Sequence, residues 1–185
     1  MKFILGILFL TLLPFSSEAV FNVQGEGGYL YTKPYGEGNF DGKWNWSGGV
    51  TLDVGGSSPF LWTKMRAIYT VETGLWYLAT KFYRNGQKEV PEWFQFPLVF
   101  FFSLHELQTT GIGAYYNFMI KDSASYKRHA YGVTIVYRAQ LFPLSTIGLP
   151  VGVRVNVDLK SMGKNNHIVD VNGMLTIGLR WGKWE

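Results

Sequence analysis

The chain has 185 residues, a formal net charge of +4 at pH 7 and no cysteine. This length predicts one domain, and the absence of cysteine excludes disulfides and a lipid-modified N-terminal cysteine. Aromatic residues make up 17% and charged residues 16% of the chain, the first high and the second low for a soluble domain. The mean hydropathy of +0.03 is too low for a helical membrane protein, but it fits strands that alternate apolar and polar side chains.

Residues 1–19 are predicted to be a cleavable signal peptide. Lys2 supplies a positive charge, and Phe3–Phe15 is an apolar run too short to cross a bilayer as a helix. Ser17-Glu18-Ala19 places small residues at the −3 and −1 positions of a signal-peptidase site. Cleavage after Ala19 would leave residues 20–185 as a single domain.

Eight later segments alternate apolar and polar residues, which is the period of a β-strand with two different faces. In chain order they are Val23–Thr32, Trp44–Val54, a segment from Leu61 that extends at most to Tyr83, Trp93–Leu104, Thr109–Ile120, Tyr131–Leu141, Val151–Lys160 and Val169–Trp181. In Val151–Lys160 every odd position is Val or Leu, and the even positions are Gly152, Arg154, Asn156, Asp158 and Lys160. Such a uniform aliphatic face opposite a charged face is typical of a transmembrane barrel strand.

These segments predict an all-β protein, an eight-stranded antiparallel up-and-down transmembrane β-barrel. The connections after the odd-numbered strands are long and polar, and those after the even-numbered strands are shorter or less charged. The four long connections are Lys33–Lys43, Arg84–Pro91, Lys121–Ala130 and Ser161–Ile168. Outer-membrane barrels have long extracellular loops and short periplasmic turns, so an even strand count predicts that both termini are periplasmic.

Three stretches carry a family resemblance: Glu92–Phe100 (E-W-F-Q-F-P-L-V-F), Thr110–Phe118 (T-G-I-G-A-Y-Y-N-F) and Leu175–Trp181 (L-T-I-G-L-R-W). The chain resembles the small eight-stranded outer-membrane β-barrel family, which includes the OmpA membrane domain and OmpX-like proteins. The resemblance implies a bacterial outer-membrane location, contact with outer-membrane lipids and lipopolysaccharide, and insertion by the barrel-assembly machinery. It favours a non-enzymatic role in envelope structure or in surface interaction through four extracellular loops.

Charged residues on the predicted inner face number five acids and six bases. They are Glu26, Asp53, Lys64, Arg66, Glu72, Arg138, Arg154, Asp158, Lys160, Asp170 and Arg180. An eight-stranded barrel is only wide enough for its own side chains, so these charges are expected to pair and plug the lumen. An ion path or a catalytic dyad is the functional alternative. Tryptophans at strand ends predict membrane-interface anchors: Trp44, Trp46, Trp62, Trp93, Trp181 and Trp184, with Trp76 added if the third strand is long.

Two other functions remain open from the sequence. Ser123, Ser125 and His129 lie together in the third long connection, as in lipid A-modifying barrel enzymes, although the local motifs of those enzymes are absent. Gly42-Lys43-Trp44 matches the Gly-x-Trp motif of lipocalins, which are secreted ligand-binding barrels with apolar interiors. We expect no enzyme activity, no cofactor, no metal and no nucleic-acid partner. We also expect the protein to be a monomer. Basic residues in the long connections suggest contact with lipopolysaccharide phosphates or another anionic partner.

Overall fold

The computed structural model describes residues 18–59, 66–105, 107–120, 125–141, 146–164 and 167–183. Almost all of the predicted signal peptide lies outside these residues, as do the predicted interior Lys64 and the predicted anchors Trp62 and Trp184. Arg66 begins a strand, but its side chain is not among those described. No helix among the described residues is long and apolar enough to cross a membrane.

Eight long strands close into one antiparallel barrel. They are β1 (Glu18–Gly36), β2 (Phe40–Pro59), β3 (Arg66–Ala79), β6 (Glu92–His105), β7 (Gln108–Met119), β8 (His129–Leu141), β9 (Ile147–Asp158) and β10 (Ile168–Lys183), with the short strands β4 (Phe82–Arg84) and β5 (Gln87–Glu89) between β3 and β6. Each long strand pairs with the next long strand along the chain, and β1 pairs with both β2 and β10. The predicted eight-stranded fold is confirmed.

The first predicted loop, Lys33–Lys43, is mostly strand. β1 and β2 continue through it and leave only residues 37–39 between them. The pairing of Tyr31 with Trp44 keeps the hairpin together, with ring centroids 5.2 Å apart. Gly36 and Gly38 have φ values of +147° and +124°, so the chain reverses where a side chain would strain the backbone.

The third strand ends at Ala79, and the segment up to Tyr83 that the sequence left uncertain belongs to a separate small hairpin. Asn85 and Gly86 both have positive φ, at 51° and 81°, as a two-residue hairpin turn requires. The hairpin of β4 and β5 pairs with the start of β2, where Phe40 lies opposite Arg84. It therefore extends the sheet at one end of the barrel.

The two ends of the barrel differ. We call the end with connections 37–39, 80–91, 120–128 and 159–167 the loop end, and the opposite end, where β1 begins and β10 finishes, the termini end. Along the strands, side chains alternate between a buried inner face and an exposed outer face, and in β8 this alternation runs from His129 to Val136 without a break. Because the strands curve into a closed barrel, the inner face is the lumen.

Candidate functional site: the lumen and the loop end

A layer of acidic and basic side chains crosses the middle of the lumen. The charged layer consists of Glu26, Asp53, Glu72, Arg138 and Arg154, which come from five strands. Arg138 Nη2 lies 2.8 Å from Glu26 Oε1 and 2.5 Å from Glu72 Oε2, and its Nη1 lies 3.4 Å from Asp53 Oδ2. Arg154 Nη2 lies 2.5 Å from the other oxygen of Glu72. Glu72 therefore joins the two guanidinium groups.

Aromatic rings support both arginines. The Arg138 guanidinium lies 4.8 Å from the centroid of the Phe101 ring, and that of Arg154 lies 5.0 Å from Trp76. A cation over an aromatic face is stabilised by the ring's charge distribution. A Cβ at Gly111 would lie 2.7 Å from the Phe101 ring, so glycine at that position leaves room for the ring.

Gln24 and Arg180 lie on the termini side of the charged layer. The Gln24 side-chain amide donates to Asp53 Oδ2. Arg180 is almost fully buried and lies within electrostatic range of Asp53 and Arg138. In the register of β1 and β10, Gln24 is opposite Arg180, so the two extend the polar interior towards the termini end.

Asp158 and Asp170 form a second polar group, nearer the loop end. The Tyr115 hydroxyl donates to Asp158 Oδ1 at 2.6 Å, and the Asn172 amide donates to Asp170 Oδ2 at 3.1 Å. The sequence predicted that the interior charges pair with one another, and for these two acids this was wrong. Asp158 is opposite Gly132, and Arg138 lies six residues further along β8, roughly 20 Å away at the rise of a strand.

An apolar layer fills the lumen towards the loop end. Its buried members are Leu30, Trp76, Leu78, Phe82, Trp93, Met119, Tyr126, Ala130, Met162, Ile168 and Met174. Trp93, predicted as an interface anchor, is only 2% exposed, and Trp76 is fully buried. The prediction for Trp93 was wrong because Trp93 shares the inward parity of Gln95. Trp76, predicted as an anchor only if the third strand was long, shares the inward parity of Glu72 in a strand that ends at Ala79. Leu30, which broke the alternation in the sequence, contributes to this layer.

Lys160 was predicted to face the lumen, and this was also wrong. β9 ends at Asp158, so Lys160 lies in the following bend and is exposed. Its Nζ lies 5.6 Å from the ring centroid of Tyr131, an exposed residue of β8. The alternation therefore ends two residues earlier than the sequence pattern suggested.

The outer face of the barrel is apolar along the strands. Its exposed large side chains include Phe21, Val23, Tyr29, Trp44, Trp46, Val50, Val54, Val71, Leu75, Phe94, Phe96, Leu98, Phe102, Ile112, Tyr116, Tyr131, Val133, Ile135, Tyr137, Val153, Val155, Leu175, Ile177, Leu179 and Trp181. Trp44, Trp46 and Trp181 are 54%, 61% and 66% exposed. A lipocalin has the reverse arrangement, with an apolar interior, so that alternative does not fit the structure.

Basic side chains dominate the surface of the loop end. Among the residues described there, nine are basic, namely Lys33, Lys43, Lys81, Arg84, Lys88, Lys127, Arg128, Lys160 and Lys164. Four are acidic, namely Glu37, Asp41, Glu89 and Glu92. The difference of five positive charges (9 − 4) gives this end an excess positive charge.

The connections at the loop end are tied together over the apolar layer. Tyr126 forms an isolated bridge with Gly163, and Lys127 N donates to Met162 O at 2.7 Å. The Tyr126 hydroxyl donates to Glu89 on the β4–β5 hairpin. Burial, reinforced by this hydrogen bond to Glu89, raises the pKa of the Tyr126 phenol above its usual value.

Of the candidate catalytic group at the loop end, the structure describes Ser125 and His129, and His129 contacts a tyrosine. His129 Nδ1 contacts the Tyr116 hydroxyl, and its imidazole ring is stacked against the Tyr116 ring at 5.7 Å. Ser123 lies outside the described residues. Within the part of the chain that the structure describes, no group of three or more His, Asp or Glu side chains is placed to hold a metal ion.

A closed eight-stranded barrel with a charged lumen and an apolar outer face is the fold of the small outer-membrane barrels. A crystal structure of Neisserial surface protein A (NspA) matches it with a TM-score of 0.51 at 14% identity, over 89% of this chain and 99% of that one. Ail, the attachment invasion locus protein of Yersinia pestis, matches at 12% identity with a TM-score of 0.41. The match covers 87% of this chain and 99% of an Ail chain in complex with the heparin analogue sucrose octasulfate. The NspA likeness shows the fold. No protein-family model and no curated protein matches the chain.

Proposed function

We propose that this protein is a non-enzymatic barrel of a bacterial outer membrane whose lumen is closed by side chains and whose loop end binds an anionic surface partner. The observation that carries the proposal is the inversion of its two faces, with charges in the lumen and apolar side chains outside. Exposed apolar surface that encircles a molecule is unstable in water but is stable in lipid hydrocarbon. The barrel would therefore be monomeric in lipid, and its assembly would depend on the barrel-assembly machinery.

The aromatic side chains on the outer face indicate how deep the barrel lies in the membrane. On the outer face, Tyr29 pairs with Trp46 and Tyr31 with Trp44 towards the loop end. Trp181, paired with Val23, lies on the opposite side of the band. Tyr and Trp prefer the two interfaces of a bilayer, so Trp44, Trp46 and Trp181 are proposed interface anchors.

The contacts inside the lumen support closure rather than conduction. The charged layer links the opposed walls of the barrel through Arg138 and Glu72, and the apolar layer lies between it and the loop end. The interior of an eight-stranded barrel is only wide enough to hold its own side chains. The residues of the charged layer are therefore proposed to be structural, and this layer is proposed to bind neither substrate nor cofactor.

The loop end is the proposed surface for interaction. Its excess of positive charge favours anionic groups, and the phosphates of lipopolysaccharide are the nearest such groups on an outer-membrane surface. Nucleic acid is not a proposed partner, because the loop end of an outer-membrane protein would not contact the nucleic acid inside the cell. Both termini would then be periplasmic.

Cysteine labelling tests the location and the orientation. The natural chain has no cysteine, so Lys88→Cys at the loop end and Thr146→Cys at the termini end each give one label site, and both positions are exposed. On intact cells an impermeant maleimide is expected to label Lys88→Cys but not Thr146→Cys. Both variants should react after the membranes are disrupted. Labelling of Thr146→Cys alone on intact cells would show that the orientation is the opposite of the proposed one. Labelling of neither variant would show that neither end of the barrel is exposed at the cell surface.

Charge reversal tests the anionic partner. Lys88→Glu combined with Lys127→Glu is expected to weaken binding of the folded protein to vesicles that contain lipopolysaccharide, relative to vesicles of neutral lipid. Because exposed charges are screened over about 10 Å at 0.1 M salt, binding by the wild type should also fall as ionic strength rises. Thr146→Glu adds negative charge at the other end and should bind normally. Lipid A mass spectra should be identical with and without the protein; a change in acylation would contradict the non-enzymatic role.

A further inference from the structure

The two buried aspartates near the loop end face each other across a pair of strands. The register that places Val157 of β9 opposite Val171 of β10 brings Asp158 opposite Asp170. Asp170 N donates to Asp158 Oδ2 at 3.3 Å, so the two residues are direct neighbours. Like charges in opposite positions of an antiparallel pair destabilise a sheet. Each residue is only 5% exposed, so water screens this repulsion poorly.

No basic side chain among the described residues compensates this pair. Arg154, the nearest inward arginine on β9, points to Glu72, and Lys160 lies outside the barrel over Tyr131. The hydrogen bonds that the two carboxylates accept come from neutral groups, namely the Tyr115 hydroxyl, the Asn172 amide and the backbone N–H groups of Asp170 and Val171. A buried carboxylate without a counter-charge is costly, which contrasts with the compensated acids of the charged layer.

Further oxygen atoms beside the pair lack hydrogen-bond partners. Asn156 Nδ2 donates to Asn172 at 2.8 Å and so joins the group, but Asn156 Oδ1 has no partner although the residue is fully buried. Asp170 Oδ1 also has none, and nor does the hydroxyl of Thr134, which is opposite Asn156 in the register. Buried oxygens of this kind normally have a partner, so the cluster has unused capacity to bind a positively charged group.

We propose that Asp158, Asp170, Asn156 and Thr134 bind a calcium ion inside the barrel wall. Carboxylate, amide and hydroxyl oxygens are the ligands of hard cations, and Ca²⁺ accepts six to eight of them in flexible geometry. The double positive charge would match the two carboxylates and remove their repulsion. The ion would tie β9 to β10 just below the connection 159–167 and so hold that part of the loop end in place. This proposal differs from the expectation of no metal that was based on the sequence. The proposed site depends only on the barrel fold.

Terbium luminescence tests the site directly in detergent-folded protein. Tb³⁺ replaces Ca²⁺ at oxygen sites, and Tyr115, hydrogen-bonded to Asp158, would act as its sensitiser. We expect sensitised emission from the wild type that Ca²⁺ displaces. Asp170→Asn should weaken the affinity at least about tenfold, since even changes outside the ligand shell cost 10–100-fold. The control Asp41→Asn changes an exposed acid and should bind as the wild type does. Equal Tb³⁺ affinity in Asp170→Asn and the wild type would overturn the proposal.

Unfolding in urea supplies the second measurement. With EDTA, Asp170→Asn should raise the unfolding midpoint above that of the wild type, because it removes one of two repelling charges. Extracellular calcium sites have dissociation constants of about 0.1–1 mM, so Ca²⁺ in the millimolar range should occupy the site. Under these conditions the unfolding midpoint should rise only for the wild type. Asp158→Asn gives the same test if Asp170→Asn does not fold. A wild-type midpoint that is identical in EDTA and in Ca²⁺ would show that protons or water, and not a metal ion, satisfy the pair.

Discussion

Ile135→Arg is expected to destabilise the barrel in a lipid bilayer by about 2–4 kcal/mol, the cost of an arginine on the lipid face at the midplane. Ile135 is 54% exposed on the outer face of β8. Tyr131 and Tyr137 flank it on the same face of the strand, and its register neighbours Ile112 and Val155 are also apolar. Because β8 is the strand with the most regular alternation, the substituted side chain has no route into the lumen.

Leu159→Arg is the matched control for this prediction. Leu159 is 65% exposed and follows the last residue of β9 at the loop end. An arginine near the membrane interface costs only about 0–1 kcal/mol, so this variant should insert and fold almost normally. Urea unfolding of each variant folded into phospholipid vesicles, followed by tryptophan fluorescence, gives the difference. Equal stability of the two variants would mean that the outer face of β8 does not meet hydrocarbon.

The fold could be predicted from the sequence because its signal is local. Each strand of the barrel has apolar side chains on its outer face and most of its polar side chains on its inner face, and the period of two is visible within ten residues. The odd positions of Val151–Leu159 and the inward Arg154 illustrate this, since their faces follow from neighbours in the sequence. The end of a strand is less local, and Lys160 was misplaced because the alternation in the sequence continues past Asp158, the last residue of β9.

The partners inside the lumen could not be predicted in the same way. Arg138 meets Glu26 from 112 residues away, and which inward positions lie at one depth depends on the stagger of all eight strands. The sequence therefore predicted that Asp158 and Asp170 pair with other interior charges, although they lie nearer the loop end than the arginines.

The tryptophans show a different limit of the sequence. Trp76 and Trp93 were assigned to the membrane interface from the usual preference of the residue type. Their parity within β3 and β6 indicates the lumen instead, as it does for Glu72 and Gln95. The prediction gave the interface preference of tryptophan more weight than the alternation of inward and outward positions. In the structure, both tryptophans follow the alternation. The apolar layer at the loop end was missed for the same reason.

Glu72→Gln is expected to destabilise the barrel by about 3–5 kcal/mol, the usual cost of removing one partner of a buried ion pair. Glu72 is fully buried and contacts both Arg138 and Arg154 at 2.5 Å. After the substitution Arg138 keeps Glu26 and Asp53, but Arg154 loses its ion pair with Glu72. The isosteric amide keeps the packing, so the loss should come from charge.

A double-mutant cycle separates the charge effect from general damage to the lumen. Glu72→Gln combined with Arg154→Gln removes both members of the pair, so its cost should be smaller than the sum of the two single costs by about 1–3 kcal/mol. Asp41→Asn, which breaks the exposed pair with Lys43, should cost less than about 1 kcal/mol. In planar bilayers the wild type should show no steady conductance, whereas Glu72→Gln should open transiently as the charged layer loosens. Additive costs in the cycle, or a large steady conductance of the wild type, would show that these charges do not close the lumen.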